Sequence, residues 1–336
     1  MIYRKQVEPL RLLKELEKGK VFPDFAYLRS LCKKKSLLDL CDSVTSTVRG
    51  ISTFREELAL RADLSLAYQL INWSQTKQVY VFDPEFLDEL VGTWGEREGN
   101  FPTSVLLNNL PCDCFYVDNS YSLPEIGDVV AGYLFSVYKG EFPSNSDTML
   151  AISCLHPEDM YRRTGRSNTT VQLCFNSANV EDLGCCDLLT NFHYYGEEFW
   201  KDIIYDFFNI LMYICSSNRD ERAVSLEVPK EDYSALGVKH NKKRQVVQKR
   251  YLGEKTMSII REDRKRATVK VSAKGTGKGT AKRPHLRKGH FHAFWVGKRG
   301  TDERKQVVKF VLPTFIHKED SDSAVPTIRV KGEVKK

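Results

Sequence analysis

Apolar residues at every fourth position mark the first strong element of the chain: Phe54, Leu58, Ala62, Leu66 and Leu70, with Trp73 following. That spacing keeps one face of a helix apolar, so a long amphipathic helix is predicted, its stripe turned to a core. Upstream, Leu10, Leu13 and Leu16 stripe a shorter helix over Pro9 to Lys18, which Gly19 can cap, and the first third reads as mainly helical. The pattern then changes. Gln78 to Phe82 is a short strand, and Asp83-Pro84-Glu85 opens a helix with a cap residue and a proline at its first position. Cys114 to Asp118 reads as a buried strand leaving a proline-marked turn. Val129 to Tyr138, Thr148 to Leu155 and Thr170 to Phe175 are further strands with hairpin-type links, and polar His156 to Asn168 is a loop. Glu197 to Cys215 is apolar nearly all round and reads as the central helix packed on that sheet. With Asp202, Asp206 and Asn209 inside it, it is too short and too polar to span a bilayer. Ser216 to Glu221 closes this helix, and Ala223 to Val228 alternates like a strand.

Composition shifts after Val238. Residues 239–336 hold 28 Lys/Arg against 9 Asp/Glu, a net of +19, whereas residues 1–238 hold 23 against 35, a net of −12. The chain therefore divides into an acidic α+β portion, 1–238, and a basic region, 239–336. The second calls for a polyanion partner, and the first can repel that partner or fold back and partly neutralise the basic region. Within the basic region, Tyr251-Leu252-Gly253 begins a strand, Arg261 to Arg266 is simply charged, and Val271 to Ala281 (VSAKGTGKGTA) is too poor in apolar surface to be held and should be mobile. His290 to Val296 alternates, Gly297 to Gly300 turns, and Gln306 to Leu312 returns: a terminal β-hairpin. The expected fold class is α+β, with an N-terminal helical portion, a mostly antiparallel central sheet with a long packed helix, and a basic C-terminal β-hairpin. Nine scattered cysteines, an odd number, and a start at Met1-Ile2-Tyr3-Arg4 without a secretory leader predict reduced thiols in a soluble cytoplasmic protein.

The densest chemistry lies in Ala281 to Trp295, AKRPHLRKGHFHAFW, with four Lys/Arg, three His and three Phe/Trp in fifteen residues. Lys282, Arg283, Arg287, Lys288, Lys298 and Arg299 suit phosphate contact with little sequence preference, and Phe291, Phe294 and Trp295 suit stacking on unpaired bases, although one face of that strand must be core. His290 and His292 point the same way on a strand. With His285 they admit two readings: acid and base groups of a ribonuclease, or plain donors to phosphate and backbone. A zinc site would need Cys112, Cys114 or His317 brought in by the fold, and isolated histidine pairs lack metal spacing. The Gly275 to Gly279 run lacks the strand, spacing and helix of a phosphate-binding loop, and Cys185-Cys186 reads as structural. No metal and no cofactor is expected, and no standard catalytic signature is present.

The segment Lys282 to Lys298 resembles the C-terminal signature of a family of phage- and plasmid-borne anti-CRISPR proteins that act against the type V-A effector nuclease by suppressing its production. The residues that carry the likeness are Lys282, Arg283, Pro284, His285, Arg287, Lys288, Gly289, His290, Phe291, His292, Trp295 and Gly297. A second ordered match lies upstream in Pro102-Thr103-Ser104, Leu107-Asn108, Leu110-Pro111, Cys114 and Tyr116-Val117-Asp118. Phe291 replaces the family's tryptophan, the Lys/Gly/Thr tract is this chain's own, and Tyr251 to Glu254 matches only loosely. The resemblance implies a bacterial host cytoplasm and a mechanism in which the protein recognises the N-terminal segment of the effector during translation, after which the mRNA is lost. Its implied partners are that nascent peptide, mRNA or the ribosome, and a host nuclease if cleavage is recruited. By motif position, Asn108, Cys114, Tyr116 and Asp118 become candidate peptide contacts. The alternatives are a His-dependent ribonuclease and a general RNA- or DNA-binding accessory protein.

Overall fold

Strand β1 (Gln78–Phe82) is the inner strand around which the main sheet is built. The computed structural model describes residues 8–17, 25–32, 39, 40, 42, 54–91, 103–118, 121–123, 128–142, 146–155, 168–175, 187–190, 197–227, 246–272, 285–287, 289–301 and 303–316. β1 pairs in parallel with β2 (Cys114–Val117) on one side and with β10 (Val246–Leu252) on the other. Outward from β2, antiparallel pairing adds β5 (Gly132–Phe142), β6 (Ser146–Leu155), β7 (Asn168–Phe175) and β8 (Asp187–Thr190). Outward from β10 lies antiparallel β9 (Glu221–Glu227), which completes an eight-stranded, mostly antiparallel sheet. Short β3 (Tyr121–Leu123) and β4 (Asp128–Val130) pair separately. The single strand expected over Val129 to Tyr138 is thus two, parted at Ala131, whose N–H turns aside to the carbonyl of Leu155.

Both faces of the sheet are covered, which makes three layers. On one face lie α1 (Glu8–Glu17), α2 (Phe25–Cys32) and α3 (Phe54–Thr76), packing Leu10, Leu13, Leu28 and Leu70 against Val79, Tyr116, Leu134 and Val247. The four-residue stripe of α3 understates its burial. Leu64 to Ile71 are all buried, because this helix sits between the sheet and α1. Its polar Gln69 is satisfied inside, donating to Ser153 Oγ (2.9 Å) and Ser65 Oγ (3.2 Å).

On the other face lie α4 (Pro84–Val91), α5 (Thr103–Asn108), α6 (Glu197–Cys215) and α7 (Glu254–Ser272). Phe207, Leu211 and Ile214 of α6 fill the space over Phe115, Tyr133 and Phe135. The helix opened by Asp83 and Pro84 is α4, capped by Asp83 Oδ1 on the N–H of Phe86 (3.1 Å).

The basic region departs from its sequence reading in three places. Tyr251 and Leu252 end a strand instead of beginning one, and the charged run Arg261 to Arg266 lies within α7. α7 buries Met257 and Ile260 and points Lys255, Glu262 and Lys265 outward, so its apolar side is narrow. Asp220 starts it from a distance, accepting from the N–H groups of Gly253 (2.9 Å), Lys255 (2.7 Å) and Thr256 (3.0 Å). Val271 and Ser272, the head of the expected mobile tract, belong to this helix, and 273–281 lie outside the described residues.

The sheet therefore continues across the change of composition at residue 239. Ion pairs stitch the two sides together: Lys249 to Asp118 (2.7 Å), Arg261 to Glu85 (2.8 Å), Arg264 to Glu89 (2.6 Å) and Arg250 to Glu221.

Candidate functional site

The terminal hairpin is built from β12 (His290–Val296) and β13 (Lys305–Val311). Pairing of Phe291 with Phe310 and of Trp295 with Gln306 puts those side chains on one face. His290, His292 and Phe294 share the other face with Lys309 and Val307. At its inner end the hairpin is part of the core. The Phe310 ring lies 5.1 Å from Phe291, 5.6 Å from Phe86 and 5.6 Å from Tyr213. Gly289 permits that contact, since a Cβ there would fall 2.7 Å from Phe310 Cζ. The edge of β13 is tied to the turn after α6. Ser217 N–H donates to the carbonyl of Val308 (2.8 Å), and the Asn218 amide both donates to the Phe310 carbonyl (2.9 Å) and accepts from the Phe310 N–H (2.9 Å).

The outer end is different. Phe294 is 39% exposed and Trp295 56% exposed, while Phe291 is taken up by packing. Each exposed ring carries a cation from the returning side of the hairpin, one from the turn just before β13 and one from β13 itself. The Arg304 guanidinium lies 4.6 Å from the Trp295 ring centre, and Lys309 Nζ lies 5.4 Å from that of Phe294. His292, itself exposed, sits beside Phe294 at 4.4 Å between ring centres.

The turn that closes the hairpin makes this possible. Gly297 adopts φ +95°, and a Cβ on it would fall 2.5 Å from the Glu303 carbonyl oxygen and 3.0 Å from Arg304 Cα. Only a glycine lets the returning strand come so close, and that approach carries Arg304 beneath Trp295. Lys298 and Arg299 stand exposed at the tip, where Thr301 N–H and Oγ1 both bond the Lys298 carbonyl. Arg304 and Lys309 were not among the residues singled out from sequence. Counting back from the Gly297 turn would have found both, because hairpin register sets Lys309 opposite His292.

The remaining candidates are spread. His290 is half-buried opposite Val311, and His292 lies opposite Lys309. His285 and Arg287 belong to β11 (His285–Arg287), which pairs with β14 (Thr314–Ile316) in a separate small sheet. Lys282, Arg283 and Lys288 lie outside the described residues, as do Cys185, Cys186 and His317. Among the described residues, no three His, Cys, Asp or Glu side chains gather as metal ligands.

The upstream match is mostly frame. Cys114 is buried, its thiol pushed up to about 12 by burial and bonded to Ser136 Oγ (3.1 Å). Tyr116 is buried too, donating to the Ala131 carbonyl (3.2 Å). Asn108 is exposed at the end of α5, and half-buried Asp118 continues β2 and holds Lys249.

Residues 80–318 match the family model described as AcrVA2-like, the anti-CRISPR type V subtype A2 family. The chain belongs to that family. Both matched stretches, Pro102 to Asp118 and Lys282 to Lys298, fall inside the span, so this is an anti-CRISPR protein of the type V-A class. A crystal structure of AcrVA2 shares the fold, with 18% sequence identity, a TM-score of 0.53, and coverage of 92% of this chain and 99% of that one. No curated protein sequence matches the chain. Among the described residues, no helix is long and apolar enough to cross a membrane.

Proposed function

We propose that this anti-CRISPR protein acts on production of a type V-A effector nuclease, recognising the effector's N-terminal segment as it is translated and causing loss of the encoding mRNA. The observation that supports this best is the union of two opposite chemistries in one frame. An acidic portion and a basic, aromatic hairpin are joined through β10, α7 and β13, so a peptide and an RNA can be held by one molecule at the same ribosome.

The acidic portion, net −12, attracts a basic nascent peptide. Asn108 and Asp118, at the end of α5 and the end of β2, are the motif residues with surface to offer it. Cys114 and Tyr116 act behind them by fixing β2. The hairpin, with Lys298 and Arg299 at its tip and Trp295 beside them, meets mRNA or ribosomal RNA. The effector mRNA is cut by a recruited host nuclease, with His290 and His292 serving as phosphate and stacking contacts.

Binding of the purified protein to a peptide copying the effector's N-terminal segment tests the reading. A scrambled peptide of equal charge is the control, and sequence-dependent binding is expected. Equal binding of both would contradict it.

A further inference from the structure

We infer that the outer end of the β12–β13 hairpin is a stacking platform for unpaired nucleotides, so the nucleic acid it takes is single-stranded. Phe294 and Trp295 hold the bases, and Arg304 and Lys309 back the two rings. This inference rests on the proposed contact between the basic region and RNA, and it names the form of RNA and the residues that read it.

Three observations carry it. First, burial was available in this strand and was used three residues earlier, where Phe291 packs on Phe310; Phe294 and Trp295 nevertheless remain in solvent. Second, each exposed ring has a cation over it from the returning side of the hairpin: Arg304, just before β13, at 4.6 Å, and Lys309 of β13 at 5.4 Å. Trp295, with a cation against its ring and more than half its surface in solvent, is half of a sandwich that a nucleobase completes, since every base has a flat π-face. Phe294 offers a second, smaller exposed surface beside His292. Third, charge fits a polyanion at the same place: residues 289–316 hold five Lys/Arg against two Asp/Glu, with Lys298 and Arg299 exposed at the turn.

Phe294 and Trp295 are consecutive, so they face opposite sides of the hairpin. A strand running along the outer edge of β12, which no other strand occupies among the described residues, can place a base on each side. A duplex cannot, because its bases are already stacked within it.

The test is fluorescence anisotropy of the full chain with a labelled oligouridylate of about 12 nucleotides, within the range of single-strand site sizes, and with an RNA duplex of matching length. Binding of the single strand in preference to the duplex is expected. Trp295→Ala and Phe294→Ala should each weaken oligouridylate binding by between about five-fold and about a hundred-fold, the range for one stacked base, and leave duplex binding unchanged. Trp295→Phe should retain most of the affinity. Neither side chain is buried in the core, so these variants keep the fold, and an unchanged melting temperature checks that.

If nucleic acid binds but the alanine variants bind as wild type, or a polyglutamate peptide competes as well as oligouridylate, the platform is overturned while RNA contact by the basic region stands. If neither RNA binds even at low salt, the RNA half of the proposed function fails, and the platform with it.

Discussion

Asn218 serves Phe310 as a one-residue strand: its side-chain amide donates to the Phe310 carbonyl and accepts from the Phe310 N–H, each at 2.9 Å. Asn218 belongs to the acidic portion, in the turn after α6, and Phe310 to the basic hairpin. The pair is one of the bonds that fix the direction in which the hairpin leaves the body.

Replacing Asn218 with Ala leaves the Phe310 N–H and C=O without these partners. A cost of about 1–3 kcal/mol is expected, confined to hairpin docking, because Phe310 stays packed on Phe86 and Tyr213. Amide hydrogen exchange should quicken at Phe310 and its neighbours in β13, while β5 and β6 exchange as before. Equal quickening across the central sheet would show that the tie is not local.

Asp220 anchors the start of α7. Burial alone would raise its carboxyl, but the Tyr213 hydroxyl and the N–H groups of Thr256, Gly253 and Lys255 outweigh that and hold it below the usual carboxylate range. A group depressed in this way stabilises the fold above its unfolded value, about 3.9, and that contribution fades as pH falls through the lower folded value. Asp220→Asn should therefore lower the melting temperature by a constant amount between pH 5 and pH 8, roughly, with the gap closing below about pH 4. A gap that widened on acidification would contradict the assignment.

Asp63 has the opposite sign. Burial on α3 lifts its carboxyl to about 6, so the folded state carries a desolvation cost that is full above about 6 and vanishes below the unfolded value. Asp63→Asn should stabilise the protein at pH 8 by on the order of 2 kcal/mol and make no difference at about pH 3.5. Thermal melts at the two pH values distinguish this from a pH-independent effect.

The thiols of Cys114, Cys154 and Cys215 are each pushed up to about 12 by burial. The thiolate is the reactive form, so these positions should resist iodoacetamide at pH 8 in the native protein and label in denaturant. Peptide mapping by mass spectrometry reads both. Rapid native labelling of Cys114 would show that β2 opens to solvent.

Much of the fold was legible because local pattern and final packing agree. The Asp83-Pro84 opening of α4, the apolar length of α6 and the His290 to Val296 alternation each became the element that their spacing demands. The parallel pairing of β1 with β10 was not legible. It joins Gln78 to Gln248, and no local periodicity records a partner so far along the chain. The helix α7 was hidden for another reason: Met257 and Ile260 are its buried contacts, while Arg261 and Arg264 spend their charge on Glu85 and Glu89, so charge masked the period.

In the candidate site, alternation separated the two faces of β12 correctly but could not say which aromatics would be buried. That was decided by Phe310, itself held by Phe86 and Tyr213, which claims Phe291 at the inner end, while Trp295 lies beyond it at the outer one. The motif around Gly289 and Gly297 thus combines frame and surface. One glycine admits the Phe310 ring, and the other brings Arg304 to Trp295.

The most direct measurement is the half-life of effector mRNA in cells that make this protein, compared between two versions of the message. One carries the natural opening codons. The other carries compensating single-base shifts that change the N-terminal peptide and leave the RNA almost identical. Rapid loss of the first message with survival of the second is the predicted result. Equal loss of both would contradict recognition of the nascent peptide and would place the signal in the RNA itself.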